Sequence, residues 1–135
     1  MRKKITITTG SRAEYGILRS LMYEINHNKK FELLLVVTGS HLSKNHGMTI
    51  KEIINDGFKI SSKININPKG NESFDSTISI GKAVIEFAKF FKKSKPDINI
   101  ILGDRNEMFA SAVAAYQMNI PNVHIHGGDK SGGLD

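Results

Sequence analysis

INIILGDRNEMFASAVAAYQMNIPNVHIHGGDKSGGLD, residues 98–135, is the stretch that decides the fold. A short apolar run, Ile98–Leu102, stops at Gly103-Asp104-Arg105. An Ala-rich helical pattern, Arg105–Met118, follows. After Pro121 a second short run, Asn122–His126, stops at Gly127-Gly128-Asp129. Two buried parallel strands joined by a crossover helix have this pattern, each strand ending in a polar loop marked by glycine. In an open α/β sheet, ligands bind at the loops on the carboxyl ends of the strands. Both loops carry carboxylates, and the second is flanked by His124 and His126, so the chemistry is expected there.

Working outward, the rest of the chain repeats the alternation. Lys4–Thr9, rich in β-branched residues, reads as a first strand. Gly10-Ser11-Arg12-Ala13-Glu14 turns it into a helix, with Ser11 and Glu14 at capping-box spacing and Leu18, Leu21, Met22 and Ile25 at helical spacing. Phe31–Val37 is a second strand, ended by Thr38-Gly39-Ser40-His41. Residues 42–48 form a loop, Thr49–Asp56 a short helix closed by Gly57, Lys59–Ile66 an edge strand and Asn67–Glu72 a loop. Ser73–Ser94 is the longest helix. Thr77, Ile80, Val84, Phe87 and Phe91 line one face, Ile78 and Ile85 widen it, and Pro96 stops it. Strands alternating with helices predict an α/β domain, a doubly wound parallel sheet with helices on both faces.

A length of 135 residues sets one domain as the expectation, and 39% hydrophobic with 24% charged residues fits a globular chain. Without cysteine, disulfide frameworks and thiolate metal sites are excluded. The first apolar run is too short for a signal peptide and no run reaches membrane-spanning length, so a cytoplasmic protein without membrane contact is expected. The net charge is +6. Its lysines are scattered, and the densest group, Lys89, Lys92, Lys93 and Lys95, complements a helix carboxyl end. That favours a solvated basic surface over a nucleic-acid interface, while the positive field suits a small anionic ligand.

Several residues have two readings. Gly10-Ser11-Arg12 is either an ordinary strand-to-helix turn or an anion site, where unpaired helix N–H groups and the Arg12 fork meet phosphate oxygens. Neither G-x-G-x-x-G nor a Walker A loop is present, so no nicotinamide cofactor is indicated. Asp104 with Glu107 three residues on either caps its helix or faces the crevice, where Arg105 would keep it ionised. His124 and His126, two apart on a strand, share one face and favour a site; no third ligand is spaced for zinc. His41 falls on the same carboxyl edge, as a site residue or a solvated loop residue. Asp129 and Asp135 read as loop carboxylates.

Together the segments TGSRAEYGIL (residues 9–18), VTGSHLSKNHG (37–47), LGDRNEMFASA (102–112) and HIHGGDKSGGLD (124–135) resemble the UDP-N-acetylglucosamine 2-epimerase family. GDR followed by HIxGG is most similar to its hydrolysing branch. The resemblance implies a fold of two Rossmann-like domains, as in B-type glycosyltransferases, of which residues 1–135 are the first. It implies elimination of UDP from a UDP-sugar and hydration of the glycal, yielding N-acetylmannosamine or a related 2-epimer for sialic-acid-type sugar biosynthesis. No cofactor or metal is implied. Arg12 matches an arginine that contacts UDP, with Gly10, Ser11, His41, Arg105, His124, Gly127 and Gly128 expected around the substrate. Asp104 and Asp135 match catalytic carboxylates, and His126 stands where the family has an acid/base glutamate, so that proton transfer falls to His126 or to Asp129 in its place, or is impaired. A C-terminal domain supplying the second wall of the cleft, and a homo-oligomeric full-length form, are expected. The competing readings are a nucleotide-sugar-binding half-domain without turnover and half of a glycosyltransferase.

Overall fold

The computed structural model describes residues 1–43 and 48–127. Five parallel strands, β1 (Lys3–Thr9), β2 (Phe31–Thr38), β3 (Ile60–Ile64), β4 (Ile98–Leu102) and β5 (Asn122–Ile125), form one sheet in the order β3-β2-β1-β4-β5. Four α-helices connect them: α1 (Arg12–Asn26), α2 (Met48–Asn55), α3 (Ser73–Ser94) and α4 (Asn106–Gln117), with a 3-10 turn at Gly39–Leu42. The chain builds outward from β1 to β3, crosses back through α3, and builds the other way from β4. The predicted doubly wound α/β architecture is therefore the one observed.

Alternation along the strands divides the core in two. Ile5 and Ile7 of β1, Leu35 and Val37 of β2, and Ile100 and Leu102 of β4 pack under α1 and α2, against Tyr15, Leu18, Met22, Ile25 and Ile53. The opposite face carries Val36 and Ile64, covered by Ala83, Phe87 and Phe91 of α3 and by Ala110, Ala114 and Ala115 of α4. The alanines let α4 approach closely enough for a buried polar link: Asn99 Nδ2 donates to Ser111 Oγ at 3.0 Å and to Asn122 Oδ1 at 2.9 Å, tying β4 to α4 and β5.

The α3 stripe needs correction. Ala83, Phe87 and Phe91 are buried, whereas Thr77, Ile78 and Ile85 are exposed, because the sheet and α4 cover one side of the helix only. No described helix is long and apolar enough to cross a membrane.

Candidate active site at the strand ends

β1 and β4 are neighbours, and the chain leaves them on opposite faces, β1 into α1 and β4 into α4. This is the topological switch point of the sheet, where diverging connections leave a crevice. The residues after β1, Gly10 and Ser11, and those after β4, Gly103 to Arg105, stand at its mouth.

On the β1 side, Ser11 caps α1, its Oγ accepting the Glu14 N–H at 3.3 Å. The Glu14 carboxylate turns back and accepts the Gly10 N–H at 2.9 Å. Arg12, the first residue of α1, is exposed and meets Glu52 of α2 at 3.5 Å. An exposed pair of this length contributes little, so the guanidinium can exchange it for a stronger anion. The β2 end is fastened beside it: Ser40 donates its N–H and its hydroxyl to the Gly10 carbonyl at 2.8 and 3.1 Å. Gly39 has φ +62°, and any side chain there would collide with that same carbonyl.

On the β4 side, the capping reading of Asp104 is overturned. α4 begins at Asn106, its N-cap is Arg105, and no side chain caps it. Asp104 is exposed, with no hydrogen-bond or ion-pair partner among the described residues. Glu107, instead of completing a capping box, turns inward. Its side chain is only 8% exposed and lies against Gly10 and Gly39, near Glu14. Arg105 Nε donates to its Oε2 at 3.1 Å. Burial pushes the Glu14 carboxyl above its ordinary range. The Gly10 N–H opposes that push and the Glu107 charge adds to it. Arg105 is held the more firmly protonated by Glu107.

The histidines depart from expectation. His41 is neither solvated nor open to a ligand: it is fully buried, with Nε2 3.0 Å from Thr9 Oγ1 and Nδ1 2.7 Å from Thr49 Oγ1. Both ring nitrogens are committed to pinning β1 to α2, and the substrate-binding expectation for His41 is corrected to a positioning one. β5 ends at Ile125, so the alternation that would put His124 and His126 on one face does not extend to His126, which has φ +58°. His124 reaches back to the β4 loop, Nε2 to the Gly103 carbonyl at 2.6 Å, and its ring packs over Gly127, where a side chain would collide with it. Arg12, Asp104, Arg105, His124, His126 and Gly127 thus all stand at the carboxyl edge. Gly128, Asp129 and Asp135 lie outside the described residues, and no group of three or more metal-ligating side chains gathers among the described ones.

Sequence reasoning treated Glu14 and Glu107 only as partners in helix caps. The available signal was the pair of glycines at the ends of β1 and β2, which clear the space that Glu107 fills.

Residues 23–135 match the family model described as UDP-N-acetylglucosamine 2-epimerase. The chain is 38% identical, over its whole length, to the UDP-N,N'-diacetylbacillosamine 2-epimerase (hydrolyzing) of Legionella pneumophila, of which it covers 36%. It is 40% identical over 95% of its length to the GDP/UDP-N,N'-diacetylbacillosamine 2-epimerase (hydrolyzing) of Campylobacter jejuni, covering 33% of that protein. Its fold matches a crystal structure of UDP-GlcNAc 2-epimerase from Neisseria meningitidis bound to UDP-GlcNAc, with TM-score 0.81 and 20% identity over 97% of this chain and 33% of that one. The chain spans about a third of the length of these relatives and corresponds to the N-terminal half of their GT-B-type fold. The sheet order, the switch-point crevice and the matched residues agree: the chain belongs to the UDP-N-acetylglucosamine 2-epimerase family.

Proposed function

We propose that residues 1–135 form the N-terminal domain of a cytoplasmic hydrolysing nucleotide-sugar 2-epimerase, acting on UDP-N-acetylglucosamine or an acetamido relative. The observation that carries this reading is the crevice at the β1/β4 switch point. There Arg12 and Arg105 each stand at a helix N-terminus on the carboxyl edge, beside Asp104, whose carboxylate has no partner among the described residues. Arginine forks and helix N–H groups suit a departing diphosphate. An exposed carboxylate free of a capping duty suits proton transfer at the sugar.

The reaction proceeds in two halves. A base removes the proton from C2 while the C1–O bond breaks, UDP leaving with the electron pair and a glycal remaining. Water then adds, hydroxyl to C1 and a proton to C2 from the opposite face, releasing the free 2-epimer. Asp104 and His126 are assigned the proton transfers and Asp135 a second carboxylate role. Gly10, Ser11, Arg12 and Arg105 are assigned to the UDP portion, and His124, Gly127 and Gly128 to the wall beside the sugar. An imidazole can serve as acid or base. A second domain, continuous with this one or supplied separately, closes the cleft. N-acetylmannosamine or its diacetamido counterpart is the product assigned.

Asp104→Asn, assayed for UDP release in a two-domain protein carrying this chain, tests the assignment. Because Asp104 does not cap α4, the substitution leaves folding intact, and turnover falls at least a hundredfold. Near-normal turnover removes Asp104 from the mechanism.

A further inference from the structure

Glu107 is an unusual second residue for a helix. A carboxylate in the first turn is normally solvated and needs no burial to gain from the helix dipole. Here Gly10 and Gly39, at the ends of two different strands, leave room for it. A Cβ at Gly10 would stand 3.1 Å from Glu107 Cγ, and one at Gly39 would stand 3.0 Å from Glu107 Oε1. Burying a carboxylate is costly unless it is paired, and its partner is Arg105, whose side chain is half exposed. Only the Nε edge of that guanidinium has a hydrogen-bond partner among the described residues; its terminal nitrogens have none. Glu14, the other carboxyl nearby, is itself engaged by the Gly10 N–H.

We propose that Glu107 is a positioning residue that fixes Arg105 at the switch point with its open edge toward the diphosphate of a nucleotide sugar. The inference rests on the nucleotide-sugar reading above. A loose arginine loses much of its rotamer freedom on gripping a ligand, whereas one already held along its Nε edge loses little. Two strand ends built without side chains, around a carboxylate almost wholly buried, make sense as the mount for that arm. A purely structural ion pair has no need of a half-exposed arginine at the crevice.

The experiment measures UDP affinity by calorimetry for a two-domain protein carrying this chain, unaltered and as E107Q, R105A, R105K and E107Q/R105A. Solvent exchange of the Arg105 Nε–H is followed by NMR. E107Q is expected to speed that exchange while leaving backbone amide spectra folded, and to weaken UDP binding about tenfold, the scale of one charge-assisted contact. R105A weakens binding at least as much. The double variant is no worse than R105A, since Glu107 acts only through Arg105. R105K, which keeps the charge beside Glu107 but not the fork, also weakens binding and stands in should E107Q fail to fold. If the unaltered two-domain protein binds UDP and E107Q and R105K bind it equally well, or if the two single effects add in the double variant, the positioning role is wrong and the nucleotide reading survives. If the unaltered two-domain protein does not bind UDP, both fall.

Discussion

Glu14 has been moved from water into a cage of backbone and a second carboxylate, and its consequence is a pH dependence of known sign. Burial first, then the Glu107 charge, raise its pKa above the ordinary 4.5, against the pull of the Gly10 N–H. Below that ordinary value the folded and unfolded chains are both protonated and the site has no penalty. As pH rises through the raised folded value, the unfolded chain releases the proton more readily, and stability falls. Glu14→Gln keeps the acceptor for Gly10 and removes the charge. Its melting temperature is expected to exceed that of the unaltered chain at neutral pH, with the difference closing to nothing near pH 4. A difference independent of pH contradicts the assignment. Arg12 gives a second test. Its pair with Glu52 is long and exposed, so Arg12→Ala barely alters stability but weakens UDP binding by about 1.5–3 kcal/mol. Calorimetry showing unchanged affinity removes Arg12 from the site. Residues of this kind were half legible. Arg12 and Asp104 were singled out as candidates because loops at strand ends are where ligands bind, and both stand at the carboxyl edge of the sheet. His41 and Glu107 were misread because what decides them is tertiary: a polar side chain is turned inward where two strands and a second helix happen to meet, and no local spacing records that.

The elements were far more legible, since each rests on periodicity that the sequence carries openly. β4 and α3 lie at the expected bounds, and β2 is one residue longer. The differences have local causes. α4 starts one residue late because Arg105 takes the extended backbone of an N-cap, and β5 ends early where His126 enters the left-handed region. The α3 face was overread because amphipathicity tells how wide an apolar stripe is, not how much of it neighbours cover. Two substitutions test the account of the sheet. Thr6 and Thr8 of β1 are fully buried, and their hydroxyls have no hydrogen-bond partner among the described residues. Thr6→Val removes an unsatisfied polar group at nearly constant shape, and denaturant unfolding is expected to show a gain of about 1 kcal/mol. A loss of that size means the hydroxyl has a partner. Gly39→Ala acts oppositely: a left-handed backbone and a collision with the Gly10 carbonyl should together cost about 2–4 kcal/mol, a fall in Tm of roughly 10 °C. A melting temperature unchanged within a degree would show that the β1–β2 ends are not locked as described.

As a whole, on the reading proposed above, the molecule is one wall of a cleft. A nucleotide sugar lying on that wall alone remains largely hydrated, which weakens every electrostatic contact to the departing diphosphate. Positioning suffers too, and orientation alone contributes about 7–11 kcal/mol to reactions of this type. The 135 residues by themselves are therefore expected to release UDP from UDP-GlcNAc at least a thousandfold more slowly than a two-domain protein carrying them. The most direct measurement of the central claim uses that two-domain protein in D2O, with mass spectrometry and NMR of the released sugar. Elimination followed by hydration requires UDP, a free 2-epimer, and one deuterium at C2. UDP released with a sugar that keeps its original configuration and its C2 hydrogen, or deuterium appearing only in intact UDP-sugar, would contradict it.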